Sequence, residues 1–128
     1  MGIEINNQTW KLLGNKKRNR QDDIRMLNFA KASLYHWQQS PKYEPINEQR
    51  GLWLISHVYA ILKEGEQALK YAKKTLQRTE EHEFKDFDLA YAYESMARAH
   101  AATGNKDECK RWHSKAKVAG EDIIGKVD

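Results

Sequence analysis

Residues 51–76 constrain the fold of this chain more than any other stretch. Residues 51–62 are apolar on almost every side of a helix, and such a helix must be buried by several neighbours. Residues 65–76 are amphipathic, with small and apolar residues on one side and lysines on the other. Because the junction around Lys63 and Glu64 has room for only a tight turn, the whole segment predicts an antiparallel pair of helices.

The pattern of the second of these helices occurs three times along the chain. Ala68 lies 42 residues after Met26, and Cys109 lies 41 residues after Ala68, in stretches with matching small, aromatic and apolar positions. The segments that precede them match at the same offsets, in Trp10, Leu52 and Tyr93 and again in Leu13, Ile55 and Met96. Repetition at this period predicts stacked helix pairs that share one continuous core.

The repeated positions resemble those of the tetratricopeptide repeat family. Its signature of bulky, small and aromatic residues is matched in the middle repeat by Leu52, Ile55, Ser56, Tyr59, Ala68, Tyr71, Ala72 and Thr75. The period exceeds the usual 34 residues by about seven, and the proline that commonly closes a repeat is missing. The resemblance therefore implies a long-period variant: a single all-α domain over residues 1–128, folded as a right-handed α-solenoid of three antiparallel helix pairs. The repeats would cover about residues 7–46, 47–86 and 87–121, followed by a short C-terminal tail.

Capping and breaking residues predict the bounds of six helices. We expect them at about residues 7–18, from the polar turn at 19–22 to 39, from 47 to 62, 65–82, from 87 to 103, and after 105. Ser40, Pro41 and Pro45 predict a loop between the second and third helices. Asn105 with Glu108 is a capping pair for the last helix, which should fade between Gly120 and Gly125.

The resemblance implies that the first helix of each pair lines a concave groove. Arg50, Trp53 and His57 then share one stripe of the third helix, because they are spaced by three and four residues. With the equivalent stripes of the other repeats, the predicted groove consists of Lys11, Asn15, Arg18, Arg50, Trp53, His57, Tyr91, Glu94 and Arg98. An aromatic anchor among cations suits an extended peptide that is acidic or ends in a free carboxylate. The alternative is a solvated polar face in which Trp53 is covered by a neighbouring helix or by a second copy of the chain.

One subgroup of the family grips the C-terminal carboxylate of its ligands with a set of Lys, Asn and Arg side chains. Lys11 and Asn15 match two of those positions. Leu54, Tyr91 and Ser95 stand where that subgroup has Asn, Lys and Arg. The subgroup's specificity is therefore not expected here.

A metal site is a weaker candidate. His100, Cys109 and His113 fall at repeat positions that converge between the last two helices, and Cys109 and His113 are four residues apart, a usable spacing for zinc ligands. A fourth ligand is not identifiable, so side chains that fill a terminal core are the favoured interpretation, and no cofactor is predicted. We expect no enzymatic activity, because the chain has no phosphate-binding loop, nucleophile elbow or paired-carboxylate motif.

Charge and composition narrow the class of partner. The chain carries 22 basic and 18 acidic residues, a net charge of +4, which is too mild to predict nucleic-acid binding. The longest apolar run, residues 52–62, is shorter than a bilayer requires, and the N-terminus has no signal-peptide pattern. A single cysteine excludes an internal disulfide, so a cytoplasmic protein is expected. We thus expect a protein- or peptide-binding scaffold. The alternatives are a self-associating, homodimeric module and, less favoured, a metal-binding protein.

Overall fold

A computed structural model describes the backbone of residues 19–127 and the side chains of residues 19–121. The chain is all-α over these residues, as predicted. The helices are α1 (Arg20–Gln39), α2 (Pro45–Ile61), α3 (Gly65–Glu81), α4 (Phe87–Ala102) and α5 (Lys106–Val127). The first predicted helix, residues 7–18, lies outside the described residues, and Lys11, Asn15 and Arg18 lie there with it.

Helix α2 is the centre of the described fold. Each helix packs antiparallel against the next along the chain, and α2 also contacts α4. Leu54, Ile55 and Val58 of α2 are at most 3% exposed. An amphipathic surface helix would leave one side free, whereas α2 is covered by α1, α3 and α4. Its apolar character on nearly every side is therefore explained by its neighbours.

Small residues allow α3 to approach its neighbours closely. Ala68 and Ala72 are fully buried on the side of α3 that faces the core. The Ser56 hydroxyl of α2 donates a hydrogen bond of 2.8 Å to the carbonyl of Ala68. At the start of α3, Gly65 lies against the backbone of Ala102 and Thr103, at the end of α4. These contacts hold α2, α3 and α4 together as one unit.

Two helix bounds differ from the prediction by two residues or more. Helix α2 begins at Pro45, two residues early, because proline is favoured in the first helical position and Asn47 caps the start by accepting a hydrogen bond from the Glu44 amide at 2.8 Å. Helix α5 continues through Gly120 to Val127 rather than fading at 120–125. The N-cap of the predicted capping pair is confirmed, since the Asn105 side chain accepts a hydrogen bond from the Glu108 amide at 3.2 Å, while the Glu108 carboxylate accepts one from the Trp112 indole at 3.1 Å.

A buried glutamine ties three helices together. Gln49 of α2 is 1% exposed, and its amide nitrogen donates to the Thr79 hydroxyl of α3 at 3.1 Å and to the Asp88 carbonyl of α4 at 3.2 Å. Thr79 in turn donates to the Thr75 carbonyl at 2.7 Å. Because buried amides are costly unless they are bonded, this arrangement sets the position of the first turn of α4 relative to α2.

None of the helices in the described part of the chain combines the length and the apolar content that crossing a membrane requires.

Candidate functional site

A cavity of about 610 Å³ opens between α2 and the beginning of α4. We call it the aromatic cleft. Its walls are formed by Gln49, Arg50, Trp53, Leu54, Lys85, Asp86, Phe87, Asp88 and Tyr91. The residues of α2 in this set share one side of that helix, and the Gln49 bonds described above hold that side against the first turn of α4.

Three aromatic rings form the apolar surface of the cleft. The Trp53 and Tyr91 ring centroids are 5.7 Å apart with the planes tilted by 48°, and those of Tyr91 and Phe87 are 6.3 Å apart with the planes 27° apart. Trp53 is half-buried and packs on the hydrophobic core, whereas Phe87 is 60% and Tyr91 47% exposed. The cleft thus presents two exposed aromatic rings to solvent beside a third ring that packs on the core.

The charges in the walls of the cleft balance. Arg50 and Lys85 supply two positive charges, and Asp86 and Asp88 supply two negative ones. The Arg50 guanidinium lies 3.5 Å from the Asp88 carboxylate. The side chain of Arg50 is 67% exposed, so this ion pair is at the solvent-facing rim, where such pairs contribute little to stability.

The predicted stripe continues beyond the cleft along α2 and α4. The His57 ring stacks on Trp53, with centroids 5.3 Å apart and planes within 19°. The Arg98 guanidinium contacts both Nδ1 of His57 and the carboxylate of Glu94. The structure therefore brings together every described member of the predicted groove, namely Arg50, Trp53, His57, Tyr91, Glu94 and Arg98. Lys11, Asn15 and Arg18 belong to the undescribed N-terminal stretch, so their position relative to this set stays a prediction.

Several residues of the cleft were not predicted from the sequence. Phe87 could have been predicted, because it precedes Tyr91 by four residues and so extends the same stripe of α4. Lys85 and Asp86 carry no such signal, since they come from the loop before α4. That loop turns through two non-glycine residues with positive φ, Glu83 at 53° and Asp86 at 59°. A conformation of this kind is rare for such residues and cannot be derived from periodicity.

His57 is held in its neutral form. Burial of the ring and the positive charge of Arg98 lower its pKa from 6.5 to about 4. The ring nitrogen that contacts Arg98 then acts as an acceptor, which is compatible with the guanidinium as donor.

The depressed pKa of His57 predicts that the fold loses stability in mild acid. The folded state binds fewer protons than the unfolded state between about pH 4 and 6.5, so the free energy of unfolding should fall as the pH is lowered through this window. We expect a loss of about 1–2 kcal/mol, allowing for the solvent that reaches the half-buried ring. Urea unfolding at several pH values measures this loss of unfolding free energy. His57→Gln should flatten the dependence, whereas His82→Gln, at an exposed position, should not. A His57 ring proton that titrates near pH 6.5 by NMR would contradict the assignment.

The predicted metal ligands do not form a site. Across residues 19–121, which include His100, Cys109 and His113, no group of three His, Cys, Asp or Glu side chains is placed to hold a metal ion. His113 is exposed and Cys109 is half-buried, whereas the equivalent Ala68 is fully buried. These α5 side chains are more exposed than Ala68 because α3 is packed between α2 and α4, whereas α4 is the main neighbour of α5 in the described fold. The described side chains therefore do not support the metal site.

Comparison of the chain with protein-family models, with curated proteins and with solved structures finds no match.

Proposed function

We propose that this chain is a tetratricopeptide-like scaffold that binds a polypeptide in the aromatic cleft. The sequential antiparallel packing of α1 to α5 and the sequence offsets of 42 and 41 residues support a stack of helix pairs. The count of three pairs and the right-handed twist are what the family resemblance implies. The fully buried Ala68 and Ala72 support the same architecture, because small residues at these positions allow the helices of a pair to pack closely.

The observation that carries the proposal is the exposed aromatic wall. Folded proteins seldom leave several adjacent aromatic rings open to solvent unless the surface binds something. Phe87 and Tyr91 are 60% and 47% exposed. Their rings stack on each other, and the Tyr91 ring also contacts the half-buried Trp53. A cavity near 610 Å³ lies within the range of specific binding sites and would accept one or two apolar side chains of an extended peptide.

Apolar contact is expected to supply most of the affinity. Arg50 and Arg98, which were predicted to bind a carboxylate of the partner, already contact Asp88 and Glu94 of the chain itself. A preference for an acidic peptide or a free carboxylate stays a prediction and rests on Lys85 and on the largely exposed Arg50.

Peptide selection followed by substitution at Trp53 tests the proposal. Peptides selected from a random library on the wild-type protein should lose at least about tenfold in affinity for Trp53→Ala, because an aromatic anchor contributes more than about 1.4 kcal/mol. Fluorescence anisotropy measures the affinity, and circular dichroism checks that helix content is retained.

Two exposed apolar residues provide a matched control. Phe87 lies in the cleft and is 60% exposed, whereas Ile24 lies on α1 outside it and is 50% exposed. Phe87→Ala should weaken the selected peptides and Ile24→Ala should not. Peptides that bind all these variants as tightly as the wild type would refute the assignment of the cleft.

Self-association is the second candidate. A cavity of about 410 Å³ on the outer side of α4 and α5 is lined mainly by apolar groups, including Leu89, Tyr93 and Val118, and Val118 is 57% exposed. The end of a helical stack is where another repeat or another copy would pack. A mass that rises with concentration in light scattering and returns to the monomer value in Val118→Glu would favour this candidate.

A further inference from the structure

We propose that a second groove, formed across α1, α2 and α3, docks an acidic polypeptide segment that carries a bulky apolar side chain. We call it the basic groove and define it by Lys31, Leu34 and Tyr35 of α1 and Tyr71, Lys74 and Arg78 of α3. The inference is independent of the function proposed for the aromatic cleft.

The basic groove lies on the opposite side of α2 from the aromatic cleft. Its floor includes Leu52 and Ile55, which at 100° per residue face away from Arg50, Trp53 and His57. The cavity has a volume of about 370 Å³, enough for one large side chain with part of its backbone. A partner bound here would not compete with one bound in the aromatic cleft.

Two lysines are held in place at the groove by aromatic rings. The Lys31 ammonium lies 5.4 Å from the centre of the Tyr59 ring, and the Lys74 ammonium lies 4.9 Å from the centre of the Tyr71 ring. These two rings stack on each other with centroids 5.7 Å apart. A hydrogen bond with the Tyr59 hydroxyl raises the pKa of Lys31, so the ammonium group stays charged. Cations that are ordered before binding lose less entropy when a partner arrives.

The charges of this groove do not balance. Glu48 is the acidic residue in its described lining, and it already accepts hydrogen bonds from the Arg78 Nε at 2.8 Å and from the Tyr43 hydroxyl at 3.0 Å. Arg78 also lies 3.4 Å from Glu81. Within residues 19–121, neither Lys31 nor Lys74 forms an ion pair. Among the side chains of residues 19–121, these two positive charges therefore have no carboxylate partner and can face a ligand.

Charge complementarity and the apolar floor together specify the occupant. Carboxylates of the partner would lie over Lys31 and Lys74, and one apolar side chain would lie on Leu34 and the Tyr71 ring between them. Two uncompensated cations are few for a nucleic acid, whose affinity depends on many phosphate contacts. An acidic peptide with an apolar centre satisfies both features of the groove.

A designed probe tests the inference directly. The probe is a fluorescein-labelled peptide in which acidic residues flank a Leu-Phe pair on both sides, and its affinity is measured by fluorescence anisotropy at low and at moderate salt. Lys31→Gln with Lys74→Gln should weaken binding by at least about tenfold, and higher salt should weaken binding to the wild type.

The control variant removes the same net charge elsewhere. Lys73 and Lys110 are exposed lysines outside the groove, so Lys73→Gln with Lys110→Gln should leave the affinity within about twofold of the wild type. The loss caused by Lys31→Gln with Lys74→Gln should be the same when Phe87→Ala is also present, which separates this site from the aromatic cleft. Any of three results would overturn the inference: no binding of the probe up to about 1 mM, an equal loss in the control double variant, or equal competition by a short DNA duplex.

Discussion

Replacement of Gly65 by alanine is expected to lower the free energy of unfolding by about 2–3 kcal/mol. A Cβ atom at this position would lie 2.7 Å from the carbonyl carbon of Ala102, from the amide nitrogen of Thr103 and from Cγ2 of Thr103. Two of these are backbone atoms at the end of α4, so they cannot move aside without shifting the helix. The contact between the start of α3 and the end of α4 would have to open.

Gly120→Ala provides the matched control for this prediction. Gly120 lies inside α5, and a Cβ atom at this position would have no heavy atom of another part of the described chain within 4 Å. Alanine favours a helix over glycine by about 0.8–1 kcal/mol, so this variant should be as stable as the wild type or more stable. Urea unfolding followed by circular dichroism measures the free energy of unfolding of both variants. A Gly65→Ala protein as stable as the Gly120→Ala protein would contradict the close approach of α3 and α4.

Replacement of Ile55 by alanine is expected to cost about 3–4 kcal/mol. Ile55 is 2% exposed on the central helix and belongs to the main hydrophobic cluster of the described fold. Its removal leaves a cavity that α2 cannot close, because α2 is held by neighbours on several sides.

The same substitution at Ile24 tests whether the loss of stability depends on burial rather than on the type of residue removed. Ile24 lies on α1 and is 50% exposed, so Ile24→Ala should cost less than about 1 kcal/mol. Chemical unfolding of both variants gives the two values. Similar losses at the two positions would mean that α2 is not the buried centre of the fold.

The sequence predicted best those features that depend on neighbouring residues along the chain. The apolar surface of residues 51–62 identified the central helix, and the predicted cap Asn105 accepts a hydrogen bond from the Glu108 amide at 3.2 Å at the start of α5. The start of α2 was missed because a proline was interpreted as a breaker, although Pro45 occupies the first turn, where its fixed φ is favourable. Gly120 likewise did not end α5, since a single glycine weakens a helix without stopping it.

The candidate sites were predicted only where they follow a single helix. Trp53 with His57 and Tyr91 with Arg98 were found from their spacing on α2 and α4. The pairing of Arg50 with Asp88 was not predicted, because it depends on how α2 and α4 are positioned against each other. The basic groove was missed for the same reason: Lys31 and Lys74 lie on different helices and converge on two stacked tyrosines.

An NMR titration of the ¹⁵N-labelled protein with a peptide selected on it shows whether the aromatic cleft is the binding site. We expect the largest shift changes on the Trp53 indole and on the amides of Phe87 and Tyr91, around the aromatic cleft. Shift changes concentrated at Leu89, Tyr93 and Val118, with the cleft unaffected, would contradict this expectation and assign binding to the outer face of α4 and α5.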